Sequence, residues 1–167
     1  MDDDAATAVG ERLAARYREI RSGPMRGMPI CNDALDVAAI GFRPLIDPTR
    51  GEFAFGAIVT PWMMNIVGAR LSGEEHGFVA GAMHRIALPA GDVEMVASGL
   101  DGFGPILACS LFSPMFDFPD MDAARETARQ AIEALFDRDL LERAATRRAA
   151  ALDRRALLRG RLAEAPR

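Results

Sequence analysis

The dipeptide Asp101-Gly102 narrows the fold class more than any other pair in the chain. It sits between two segments of strand character, and Asp-Gly between such runs is a strong hairpin signal, because tight hairpin turns need residues that tolerate positive φ. Residues 82–88 and 93–98 read as strands joined by the turn Pro89-Ala90-Gly91-Asp92, and residues 105–112 form the strand after Asp101-Gly102. These three make an antiparallel meander. Upstream, residues 35–42 and 52–60 read as a further hairpin around a loop at 44–51, with Pro48-Thr49-Arg50-Gly51 as its turn. In residues 52–60, Phe53, Phe55, Ala57 and Val59 share one face, while Ala54, Gly56 and Ile58 make the other face small.

Helical periodicity flanks the strands. Residues 4–22 place Val9, Leu13, Tyr17 and Ile20 on one side, with Asp4 as the expected cap and Gly23-Pro24 as the stop. Residues 120–136 form a second helix, capped by Asp120, with Ala124, Ala128, Ala131, Ile132 and Leu135 as its apolar face. Residues 23–36 are rich in Gly and Pro and read as irregular. A short helical piece is expected from Trp62 to about Ala69, and residues 71–77 read as a polar, flexible loop. Residues 139–167 are rich in Arg and Ala and read either as a third helix or as a loosely packed tail, most loosely over 145–167. The expectation is one α+β domain over residues 1–167, an antiparallel sheet of about five strands packed against N-terminal and C-terminal helices.

Composition limits the function. With 167 residues and half of them hydrophobic, the chain has enough material for one real core. The net charge of −4 argues against nucleic acid as a partner. No apolar run approaches the roughly 20 residues of a membrane span, so stable membrane insertion is not expected. The start Met1-Asp2-Asp3-Asp4 lacks the basic and apolar regions of a secretory signal. The widely separated Cys31 and Cys109 read as reduced thiols of a cytoplasmic protein.

Candidate chemistry is sparse. No Cys-x-x-Cys or His-x-x-x-His occurs, so no metal site is expected, and the glycines of 99–104 fit a hairpin rather than a dinucleotide loop. A two-residue turn at Asp101-Gly102 sets Cys109 opposite Glu94, on a face shared with Leu107 and Leu111. There it reads as a small buried hydrophobe or, alternatively, as a functional thiol. His84 alternates with Ile86 and Leu88 at a core edge, and His76 lies in a polar loop. Trp62, the sole tryptophan, and Met63 and Met64 follow Pro61, which ends a strand for want of an N–H. They form either a core plug or an adaptable apolar patch that re-packs around a partner. In the tail, Leu157 and Leu158 stand among Arg154, Arg155, Arg159 and Arg161, as a solvated helix end or as an arginine clasp for an acidic partner.

Three stretches taken in order resemble the [NiFe]-hydrogenase assembly chaperones of the HybE/HupJ type: Val59-Thr60-Pro61-Trp62-Met63, then Cys109-Ser110-Leu111-Phe112-Ser113-Pro114-Met115, then Arg154-Arg155-Ala156-Leu157-Leu158-Arg159-Gly160-Arg161. Leu100-Asp101-Gly102 before the cysteine strand also fits. The resemblance covers about residues 10–161 and implies a cytoplasmic accessory protein, not an enzyme and without a cofactor. Such a protein would attend a hydrogenase subunit precursor before export, the small subunit with its twin-arginine signal being favoured and the large subunit possible. Some relatives carry a rubredoxin-like module with Cys-x-x-Cys pairs; this chain has none, so iron binding is not carried over. The partner-binding residues it implies are Thr60, Pro61, Trp62, Met63, Met64, Cys109, Phe112, Ser113, Pro114, Met115, Arg155 and Arg161. The alternative is a thiol-dependent or redox protein centred on Cys109.

Overall fold

The computed structural model describes residues 2–71 and 78–163, the last seven of these as backbone only. The elements run α1 (Asp3–Ser22), β1 (Ala38–Asp47), β2 (Gly51–Val59), β3 (Met64–Arg70), β4 (Met83–Leu88), β5 (Gly91–Leu100), β6 (Gly104–Phe112), α2 (Met121–Leu135) and α3 (Leu140–Ala163). The strands form one antiparallel sheet in the order β1-β2-β3-β6-β5-β4. It consists of two three-stranded meanders joined along β3 and β6. The α+β expectation holds, with six strands in place of about five.

The added strand is β3, where a short helical piece was expected. Ile66, Val67 and Ala69 are all buried, so the segment shows no polar alternation and its period is hidden in the sequence. The β-branched Ile66 and Val67 suit a strand covered on both faces. β1 likewise runs further than expected, through Pro44, which an edge strand tolerates because its N–H side can face away from the ladder.

Each face of the sheet carries a helix. Phe53, Phe55, Ala57, Val59 and Ile66 pack with Ala124, Ala128 and Ile132 of α2. Ala54, Ile58, Val67 and Ile106 pack with Ala6, Val9, Leu13 and Tyr17 of α1. The two faces of β2 therefore divide as the alternation indicates. Asp120 caps α2, accepting from the Ala123 N–H at 2.8 Å. The cap of α1 is Asp2 rather than Asp4; its Oδ1 accepts from the N–H groups of Asp4 and Ala5, so the helix starts earlier than its apolar stripe.

A bulge in β1 locks α1 to the sheet. The register passes from Ile40↔Ala57 to Arg43↔Phe55, so Gly41 and Phe42 together oppose Gly56. Gly41 has φ +64°, the left-handed conformation such a bulge requires. The bulge turns Phe42 toward α1, where its ring lies between two glycines. A Cβ on Gly10 of α1 would come within 2.6 Å of the ring, and one on Gly56 of β2 within 2.5 Å.

The β5–β6 turn spans three residues, Asp101, Gly102 and Phe103, with Leu100 paired to Gly104. The extra residue shifts the register by one from the expected pairing. Glu94 therefore does not face Cys109; it pairs with Arg85 of β4, with which it makes a 3.5 Å ion pair. Cys109 pairs with Ile66 on its other flank. α1 is fastened to this turn by the Arg16 Nε–H, which donates to the Asp101 carbonyl, and by Arg12 stacked 5.4 Å above the Phe103 ring.

Candidate functional site

The strand pairing carries two of the three motif stretches to one end of the sheet. β2 and β3 are joined by Thr60-Pro61-Trp62-Met63, a tight turn closed by the buried Thr60. Its N–H donates to the Met63 carbonyl at 2.9 Å, and its hydroxyl donates to the same oxygen at 3.0 Å while accepting from the Met63 N–H at 3.0 Å and the Trp62 N–H at 3.3 Å. The hydroxyl thus satisfies backbone groups that a four-residue loop cannot pair by itself. Met64, the next residue, pairs with Phe112 at the end of β6. Ser113, Pro114 and Met115 follow directly, with the Ser113–Pro114 peptide bond cis.

Asn32 ties these pieces together, and sequence reading missed it. Its backbone N–H donates to the Pro61 carbonyl at 2.8 Å. Its side-chain amide donates to the carbonyls of Met115 at 3.0 Å and Phe118 at 2.9 Å, and its Oδ1 accepts from the Ala34 N–H at 3.1 Å. A single asparagine therefore braces the β2–β3 turn against the segment after β6.

The motif residues divide by exposure. Met64 and Met115 are fully buried and Thr60 and Pro61 are buried behind the turn. Trp62 and Met63 are half-buried on the α1 face, with the Trp62 ring centroid 6.4 Å from that of Tyr17. Met64 lies in the core of the opposite face, so these three residues do not share one surface. Cys109 is half-buried beside Leu111 and the core of the α2 face, within an apolar setting. Phe112 and Phe116 remain 39 % and 56 % exposed. Phe112 rests edge-on against Phe118, centroids 5.1 Å apart, and buried Phe118 and Met115 anchor the loop that carries Phe116. On the segment that Asn32 holds, Met28 and Ile30 are also exposed. Asp33, next to Asn32, and Asp117, next to Phe116 in the chain, are both exposed and neither is in an ion pair among the described residues. Burial, then the charge of Asp33, pushes the Cys31 thiol up, against a smaller opposing effect of Arg21.

The third motif stretch lies elsewhere. Residues 140–163 are a helix, so the helical reading of the tail holds as far as Ala163. Side chains 141–149 and 151–156, Arg155 among them, are exposed, which leaves α3 without a packed face there. The side chain of Arg161 and all of His76 fall outside the described residues. His84 is half-buried on β4, paired with Met95 of β5. No group of His, Cys, Asp or Glu among the described residues has an arrangement that holds a metal ion. Nor is any described helix long and apolar enough to cross a membrane.

The chain is an α+β protein, a six-stranded antiparallel sheet between two helices, with exposed phenylalanines on a braced loop at one end. The family model for "[NiFe]-hydrogenase assembly, chaperone, HybE" matches residues 8–160, and the chain belongs to that family. It is 46 % identical over 165 residues to the hydrogenase expression/formation protein HupJ of Bradyrhizobium diazoefficiens, covering 97 % of this chain and 94 % of that one. A protein described as probable rubredoxin HupJ from Rhodobacter capsulatus is 33 % identical, with 90 % of this chain matched to 52 % of its length. The solution structure of HybE from Escherichia coli shares the fold, with a TM-score of 0.59 at 19 % identity over 77 % of this chain and 76 % of that one.

Proposed function

We propose that this chain is a cytoplasmic, non-enzymatic chaperone that holds the precursor of a [NiFe]-hydrogenase subunit before export, the small subunit with its twin-arginine signal being the favoured partner. The observation that supports this reading is the surface at the braced end of the sheet. Phe112 and Phe116 offer aromatic area, the kind of anchor that dominates peptide binding. The exposed Asp33 and Asp117, neighbours in the chain of Asn32 and Phe116, offer negative charge. An export signal combines an apolar stretch with paired arginines, so it complements both features. Ser113 and Pro114 lie on the same loop, Trp62 and Met63 border the end from the α1 face, and Thr60, Pro61, Met64, Cys109 and Met115 stand behind them as support. The direct test is capture by the tagged chain of each purified precursor subunit. The small-subunit precursor is expected to be retained and to be lost when its signal is removed; retention of the large subunit alone would overturn the assignment of partner.

The arginine-rich helix extends the same proposal. Arg155 is exposed on a helix face with no packing to lose, so it is available to contact the partner together with Arg161. Replacing both with Ala is expected to weaken capture several-fold while Tm stays nearly unchanged, as for exposed charges in general. A large fall in Tm with capture per folded molecule intact would make this helix structural.

A further inference from the structure

The end of the sheet opposite the Asn32 brace holds a cleft of about 320 Å3, and no role in the proposed capture falls to it. It opens between the β1–β2 turn, the end of β3, and the starts of β4 and β6. Phe53 and Leu107 supply an apolar floor, and Gly68 supplies depth. A Cβ at Gly68 would lie 3.6–3.8 Å from Phe55, Phe53 and Leu107, so an alanine would fit but would raise the floor. Arg50, Arg70 and His84 line the walls, and no described lining residue is a carboxylate.

Arg50 is held in place rather than free to swing. Its Nη1 donates to Asp47 Oδ2 at 3.2 Å and to Thr49 Oγ1 at 3.3 Å. Asp47 is 6 % exposed and also accepts from the Thr49 N–H, the Thr49 hydroxyl and the Arg50 N–H at 2.7–2.9 Å. Burial by itself would raise the Asp47 carboxyl, but these hydrogen bonds and the Arg50 charge outweigh it and hold the group below its ordinary value. The buried carboxylate is therefore an ionised anchor for the turn and its guanidinium. Nε and Nη2 of Arg50 have no partner among the described residues, which leaves donors of the planar fork for a ligand. Arg70 lies over the Phe53 ring, its Cζ 5.7 Å from the centroid, adding positive charge beside the apolar floor.

We infer that this cleft binds a carboxylate with an apolar body of about amino-acid size, the carboxylate on Arg50 and the body against Phe53 and Leu107. The volume sits at the small end for ligand sites, which fits one ring or short aliphatic chain plus its acid group. An inorganic anion would leave the floor unused, whereas a carboxylate matches the guanidinium fork and the floor together. Two sources share this chemistry: a free small acid, and the C-terminal carboxylate of a polypeptide ending in an apolar residue.

The test is an NMR titration of the full chain, following the amides of Phe53, Gly68 and Leu107. The probes are 3-phenylpropionate, its neutral amide, inorganic phosphate, and a hexapeptide ending in phenylalanine with a free or amidated C-terminus. The carboxylates are expected to give saturable shifts, with binding of the neutral amide and the amidated peptide about tenfold weaker or less, since a charge-assisted pair is lost. Arg50→Gln should weaken 3-phenylpropionate by a similar factor. Gly68→Ala, which leaves Arg50 and its turn intact, should weaken it too without lowering Tm. A free-ended peptide that binds more tightly than 3-phenylpropionate identifies a chain terminus as the source; equal binding identifies a small acid. Equal binding of acid and amide, phosphate binding as tightly as 3-phenylpropionate, no saturable shift at millimolar probe, or unchanged affinity in both variants would each overturn the inference.

Discussion

Gly56→Ala is expected to destabilise the protein by about 3 kcal/mol, at the upper end of overpacking effects. The added Cβ would sit 2.5 Å from Phe42 Cδ2 and 2.9 Å from Phe42 Cα, so the ring cannot escape by rotating alone; the backbone of the bulge must move as well. On the other side α1 limits retreat, because the ring already fills the space that a Cβ on Gly10 would need, 2.6 Å from it. For a chain of this length the loss corresponds to a fall in Tm of about 6–12 °C in a thermal melt. A second substitution, Phe42→Leu, should return part of the loss in the Gly56→Ala background while costing stability in the wild type. That non-additivity would assign the effect to this contact. A Gly56→Ala protein with unchanged Tm would show that α1 does not rest on the bulge as described.

Asn32→Ala is expected to cost about 2 kcal/mol of stability, because it strands two carbonyls that Asn32 now satisfies. The carbonyls of Met115 and Phe118 lie at a half-buried junction, and the Ala34 N–H loses its acceptor at the same time. The backbone bond from residue 32 to Pro61 would survive, so the β2–β3 turn should stay closed while the Phe112–Phe118 segment loosens. The signature is faster amide exchange confined to residues 113–119 and weakened capture of the partner. Asn32→Asp, which keeps the acceptor and loses the two donors, should resemble Asn32→Ala rather than the wild type.

Much of this architecture is readable in the chain because its cues are local. Asp101-Gly102 gives a hairpin wherever it sits between strand-like runs, and Asp120 ahead of an apolar stripe gives α2 and its cap. The division of β2 into a large and a small face follows from alternation alone. The features that escaped depend on partners distant in sequence. β3 is covered on both faces, so nothing in its own residues separates strand from helix. The β5–β6 register turned on a single residue, since two- and three-residue turns both accommodate Asp-Gly, and that residue decides whether Cys109 faces Glu94. Asn32 lies in a Gly/Pro-rich stretch without periodicity; its role exists only because β3 pairs with β6 and carries Pro61 close to Met115. The motif residues were visible as a set, whereas their separation into buried supports such as Met64 and Met115 and exposed groups such as Phe112 required the fold.

The central claim is that the exposed phenylalanines of the braced loop hold the precursor. It is tested most directly by calorimetric titration of the purified small-subunit precursor into the wild type and into Phe112→Ala/Phe116→Ala. Both rings are substantially exposed, so their loss should leave Tm within about 2 °C, as surface substitutions do. Binding should weaken by about 2 kcal/mol or more, the cost of removing an aromatic anchor. Unchanged affinity in a folded double variant would contradict the account and move the binding surface away from this end of the sheet.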